Sequence, residues 1–204
     1  MEPGRVWQGD TLRAAMLQGP QGGTVREVEV KYRVRDLTAL LAALEMHGIE
    51  LGEPFCQDDQ AYAPDVWAYG DDRRGVPFAR LRTAHDRHVF TLKRPAENVL
   101  SCEEHETAVA DRDQMHRAVV AMGFRPTVRI VKTRRTGSLG DLVLCVDELD
   151  GLGVFLEVER MVPDGVPGEA VQAELSRFVA SLGIEGEQTT QTYDVLVRGL
   201  LTSA

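Results

Sequence analysis

VREVEVKYRV, residues 25–34, puts Val28 and Val30 on one side and Glu27, Glu29 and Lys31 on the other. Alternation with a period of two is the mark of a β-strand with two unlike faces. The same grammar recurs down the chain. ARLR (79–82) gives Arg80 and Arg82 with Leu81 between them, FTLKRP (90–95) gives Lys93, and EEHE (103–106) gives Glu104 and Glu106. VKTRR (131–135) gives Lys132 and Arg134, VDELDGLG (146–153) gives Asp147, and FLEVE (155–159) gives Glu157 and Glu159.

Between these strands the periodicity changes. Asp36 precedes LTALLAALEMHG, which has apolar residues at helical spacing and a glycine stop at Gly48, so a capped helix is expected there. Two more helices are expected, at about 111–122 ending at Gly123 and about 166–182 ending at Gly183. Strands are expected near 56–63, 78–84, 87–94, 102–110, 127–135, 141–149 and 152–161. AHDR (84–87) and Asp150-Gly151 read as hairpin connections. The pattern is α+β, with about eight strands and about three flanking helices. Closure of the antiparallel sheet into an eight-stranded barrel would remove its edges. Residues 1–24 read as an extension ahead of a 25–204 domain, with a helical turn or two at 10–17.

A charged face is ordinarily the solvated side of an antiparallel sheet. Two features argue for more. The charges come as like-sign doublets, E-x-E, R-x-R and K-x-R, which repel unless an ion lies between them. Acids and bases also nearly balance across the set. If the sheet closes on itself, burying them is tolerable only as an ion-pair network or around bound ions. Carboxylates suit Mg²⁺, whereas lysine and arginine suit phosphate oxygens.

Composition narrows the field. A net charge of −9 disfavours a nucleic-acid polymer as partner. Cys56, Cys102 and Cys145 are too scattered for a disulfide framework or a zinc site; they read as small apolar residues of a reducing cytoplasm. No apolar run reaches membrane-span length and no secretory signal is visible, so a cytoplasmic protein without membrane association is expected. His85, His88 and His105 read as surface or strand residues.

Taken in order, these motifs resemble the CYTH, or triphosphate tunnel, superfamily, whose E-x-E-x-K signature matches Glu27, Glu29 and Lys31. GFRPTVRIVKTRR, VDELDGLGVFLEVE and the closing QTYDVLV (191–197) look most similar to class IV adenylyl cyclases. The resemblance implies an eight-stranded tunnel holding one triphosphate, and Mg²⁺ or Mn²⁺ as cofactor. It implies Glu27, Glu29 and Glu159 as main metal ligands, with Glu157 and Asp147 in the same set. Lys31, Arg80, Arg82, Lys93, Lys132 and Arg134 would hold phosphates, and Lys31, Lys93 and Arg134 would be the catalytic cations. Glu104 and Glu106 would support a second metal or orient the basic side chains. The implied reaction is conversion of ATP to cyclic AMP and pyrophosphate, in a possible homodimer. The rivals are a triphosphatase acting on inorganic, thiamine or nucleoside triphosphate, and a non-catalytic polyphosphate- or nucleotide-binding module. The 63–76 segment, with Trp67 and Tyr69, is longer and more aromatic than a minimal tunnel needs, and is where contacts to a base are expected.

Overall fold

The computed structural model describes residues 25–203; the helical turns expected at 10–17 lie outside them. Among the described residues there are nine strands and four helices. The strands are β1 (Val25–Val34), β2 (Phe55–Pro64), β3 (Phe78–Ala84), β4 (Arg87–Pro95), β5 (Ser101–Val109), β6 (Phe124–Leu139), β7 (Leu142–Leu149), β8 (Gly153–Pro163) and β9 (Gly186–Thr189). The helices are α1 (Leu37–Met46), α2 (Arg112–Ala121), α3 (Gly168–Ser181) and α4 (Tyr193–Ser203).

All strand pairs are antiparallel, in the order β5-β4-β3-β2-β6-β7-β8-β1-β9. β5, at the far end of that order, also pairs with β1, with Arg26 opposite Glu103, Glu27 opposite Cys102 and Val28 opposite Ser101. One edge of β1 is thus shared: its first half faces β5, and Lys31 to Val34 face β9.

Local chemistry sets the element ends. Asp36 caps α1 by accepting from Ala39 N at 3.1 Å, and Asp111 caps α2 by accepting from Gln114 N at 2.9 Å. Such side chains satisfy amides that the first helical turn leaves unpaired. α3 lacks a capping side chain of its own; Glu97, from the β4–β5 connection, accepts from Gly168 N at 2.8 Å instead. The β3–β4 hairpin turns on His85 and Asp86, both with positive φ (49° and 57°), the twist a two-residue hairpin requires.

The apolar face of the sheet is covered by helices. Val28, Val30, Leu144, Leu156 and Val158 pack with Leu40 and Leu44 of α1 and Val171, Leu175 and Val179 of α3. Leu81 packs with Val119 of α2. Each such side chain contributes about 1.5–3 kcal/mol when fully buried, which fixes strand register: a one-residue slip would drive the charged set into the helices.

Two expectations need correction. Among the described residues there are four helices rather than about three, because residues 193–203, expected as an apolar tail, form α4. Tyr193 at its start packs with Val128, Ile130, Leu149 and Phe155, on the face opposite the helix-covered one. β9 was likewise not expected; its GEQT sequence has no apolar alternation.

Candidate active site

The period-two charges of β1 to β8 come together. Glu29, Lys31, Asp59, Arg80, Arg82, Lys93, Lys132, Arg134, Glu157 and Glu159 line one pocket. Glu27, Asp147 and Glu104 are buried behind them. Each strand delivers its pair because side chains two apart share a face, and the opposite face is held under α1, α2 and α3.

The acidic residues gather at one place. Ligand atoms of Glu27, Glu29 and Glu159 all lie within 4.8 Å of one another, and Cys145, Glu157 and Glu159 form a second such group. Burial, then Glu157, pushes the Glu29 carboxyl up from its ordinary 4.5 to about 8, against the opposing pull of Lys31 and Lys93. A carboxylate in this state lacks compensating positive charge, and three oxygen donors suit a hard dication. The acidic set therefore fits Mg²⁺ or Mn²⁺.

The basic residues crowd the other side. Asp147, fully buried, accepts from Lys132 Nζ at 2.8 Å, Arg134 Nε at 2.6 Å and the Tyr193 hydroxyl at 2.8 Å. Arg134 also pairs with Glu157, as does Lys31 at 3.0 Å. The Tyr193 ring carries Lys31 Nζ and Lys132 Nζ at 4.1 and 4.4 Å from its centroid. Arg82 makes a two-pronged bond to Asp59, at 2.8 and 2.9 Å. Lys93 bridges Glu27, at 3.1 Å, and Glu104. Arg80 reaches Thr91 Oγ1 at 3.1 Å and Glu106 at 3.5 Å.

Protonation tendencies show what this side lacks. Burial and then Arg134 push Lys132 down despite its bond to Asp147, and burial and then Arg82 push Arg80 down. For Lys31 burial acts downward too, but Glu157 and Glu29 outweigh it and the net shift is upward. For Asp59 burial raises the carboxyl, but Arg82 prevails and the net shift is down. Lys132 and Arg80 are thus buried cations beside other cations, and Glu29 is a buried carboxyl beside Glu157.

The doublets expected from the sequence line this pocket, and four residues not expected there join them. Asp59 anchors Arg82, Tyr193 anchors Asp147, Thr91 orders Arg80, and Cys145 faces the charges. Cys145 is not simply an apolar filler: Sγ lies 3.8 Å from Glu159 Oε1, and burial drives its thiol well above the ordinary range. Its parity with Asp147 along β7 was the available signal. Asp147 sits among cations and outside the Glu27–Glu29–Glu159 group. His85 and His105 are exposed and His88 is half-buried; none lines the pocket.

The model of the CYTH domain matches residues 25–193, spanning every strand just described. This chain belongs to the CYTH family. A candidate adenylate cyclase of Methanocaldococcus jannaschii is 27% identical over 179 residues, covering 85% of this chain and 99% of that one. Among solved structures, a candidate adenylate cyclase from Vibrio parahaemolyticus superposes with a TM-score of 0.71 at 21% identity, covering 87% of this chain and 99% of the other. A candidate adenylyl cyclase from Hippeastrum with a dominant triphosphatase activity superposes at 0.55 and 19% identity, covering 85% and 95%. The CYTH family binds triphosphate substrates, and this pocket holds carboxylates and cations side by side. Among the described residues no helix is long and apolar enough to cross a membrane.

The state of Glu29 gives a direct test. With a value of about 8, Glu29 is more protonated at pH 7 than at pH 9. A dication must displace that proton. Calorimetric titration of Mg²⁺ in buffers of different ionisation enthalpy is expected to show proton release at pH 7 that falls as the pH is raised to 9, and equal release at both would contradict it. In metal-free protein the same shift makes the stability contribution of Glu29 complete below pH 4.5 and lost as pH rises through about 8.

Proposed function

We propose that this CYTH protein is a metal-dependent adenylyl cyclase, converting ATP to cyclic AMP and pyrophosphate inside a tunnel closed by the β1–β5 pairing. The observation that carries the reading is the juxtaposition of the Glu27–Glu29–Glu159 group, of which Glu29 and Glu159 line the pocket, with a crowded cluster of cations in that pocket. A divalent cation held by those glutamates would neutralise phosphate charge and lower the pKa of the attacking hydroxyl.

The chain supplies the rest by positioning and fixed charge. Lys132 and Arg134, held in place by Asp147, bind the phosphates that leave as pyrophosphate. Lys31, anchored by Glu157, and Lys93, anchored by Glu27 and Glu104, face the same space from β1 and β4. Arg80 and Arg82 extend the cationic surface along β3. The ribose 3′-oxygen would attack the α-phosphorus in line with the departing pyrophosphate. The name of the archaeal relative supports this choice.

The triphosphatase reading keeps the same residues and places water opposite the γ-phosphorus; the Hippeastrum activity favours retaining it. Both readings require the basic cluster. Lys132→Ala is expected to lower kcat/KM about 10²-fold, in line with removal of one preorganised charge partner. Unchanged steady-state constants for this variant would remove the phosphate role from Lys132.

A further inference from the structure

The edge of β1 that β5 and β9 share has a gap, and a residue of the glutamate group sits in it. β5 pairs with β1 as far as Val28, and β9 takes over at Lys31. Glu29 and Val30 lie between the two, with a strand only on their β8 side among the described residues. The other two glutamates differ. Glu27 stands between Cys102 of β5 and Met161 of β8, and Glu159 between Glu29 of β1 and Val143 of β7. Their backbones are held from both sides by the sheet, and that of Glu29 is not.

Other groups fill the gap. The Glu29 N–H donates to Leu100 O of the β4–β5 connection at 2.9 Å. The Glu29 carbonyl accepts from Gln172 Nε2 of α3 at 3.1 Å. A side-chain amide thus replaces a ladder amide, as backbone groups inside a protein require a partner. Gln172 is itself braced. Asn98 Nδ2 donates to Gln172 Oε1 at 3.0 Å, and Gln172 Nε2 donates to Asn98 Oδ1 at 3.3 Å. Asn98 Oδ1 also accepts from Leu100 N at 2.9 Å, which closes a circuit around Glu29. The rotation of α3 that aims Gln172 at β1 is set by Val171 and Leu175, both buried in the core. Glu97 anchors the circuit at the start of α3, accepting from Gly168 N at 2.8 Å and pairing with Arg26 at 3.3 Å.

Groups that hold a metal ligand in place govern affinity nearly as much as the ligand does. Resting on the metal reading above, we propose that Gln172, braced by Asn98, is a positioning residue for the dication: it fixes the backbone of Glu29 at the gap in the sheet, so that α3, on the outer face, sets how tightly the glutamate group holds metal.

The test is calorimetric titration of Mg²⁺, and separately of inorganic tripolyphosphate with chelator present, into the wild type, Gln172→Met, Asn98→Ala and Glu174→Ala. Gln172→Met keeps the length of the side chain and loses the donor. Glu174→Ala removes a different tie of α3, its 2.8 Å bond from Arg160 of β8, and leaves Glu29 untouched. Gln172→Met is expected to raise the Kd for Mg²⁺ about tenfold or more, the size of a lost partner of a metal ligand, with tripolyphosphate within about twofold. Asn98→Ala is expected to move Mg²⁺ in the same direction, and carries the test alone should Gln172→Met fail to fold. Glu174→Ala is expected to bind both ligands as the wild type does. Mg²⁺ affinity unchanged in Gln172→Met and Asn98→Ala would overturn the proposal. So would equal weakening of Mg²⁺ and tripolyphosphate, or equal weakening of Mg²⁺ by Glu174→Ala, since either would mean that α3 acts only as a structural support. Wild type that binds tripolyphosphate and takes up no Mg²⁺ would instead overturn the metal reading underneath.

Discussion

Glu29→Gln is expected to lower metal-dependent turnover about 10³-fold while leaving thermal stability unchanged or slightly raised. The two halves of this result have one origin. Glu29 sits with Glu27 and Glu159 inside a 4.8 Å group, and burial and Glu157 hold its carboxyl at about 8. Glutamine imitates the protonated form that prevails in metal-free protein at neutral pH, so folding loses little. It cannot supply a charged oxygen to a dication, so the chemistry loses a ligand whose effect falls in the transition state. Activity and melting temperature measured on the same preparation check it. A drop in both together would mean that Glu29 is a structural partner of Lys31, which lies 3.9 Å away. Full activity would remove Glu29 from the metal set.

Asp147→Ala is expected to show the opposite pattern, with a stability loss of about 3–5 kcal/mol, the usual cost of stripping one partner from a buried ion pair. Lys132, Arg134 and the Tyr193 hydroxyl all converge on this carboxylate. Its removal leaves two buried cations facing each other, with Lys132 already pushed down by burial and by Arg134. Polyphosphate is expected to restore much of the loss, because it brings negative charge to the same cations. A ligand at one hundred times its Kd adds about 2.7 kcal/mol by mass action. Chemical denaturation with and without tripolyphosphate reads both numbers. A variant as stable as wild type, or one that polyphosphate fails to stabilise, would show that Asp147 does not organise the phosphate side.

The sequence displayed the site to the extent that the site is periodic. Glu27, Glu29 and Lys31, or Lys132 and Arg134, are visible because side chains two apart must share a face and because valines and leucines mark the other face. Pairing across strands is not periodic and stayed hidden. Nothing in QDDQ distinguishes Asp58, which meets the exposed Arg129, from Asp59, which meets the buried Arg82; the phase of β2 decides it. Tyr193 is one residue in a short apolar tail, and only the position of α4 turns it toward Asp147. The Arg73–Asp194 contact joins residues 121 apart in sequence, beyond the reach of local pattern. Cys145 could have been found by carrying the parity of Asp147 back two residues, but VLCV is apolar on both faces and reads as plain core.

The proposed reaction of this pocket is conversion of ATP to a cyclic nucleotide. Incubation with ATP and Mg²⁺ or Mn²⁺, followed by phosphorus NMR and mass analysis of the products, is predicted to give cyclic AMP and pyrophosphate in equal amounts. ADP with orthophosphate and no cyclic nucleotide would contradict the cyclase and leave a triphosphatase, and an inert mixture with either metal would contradict catalysis on ATP.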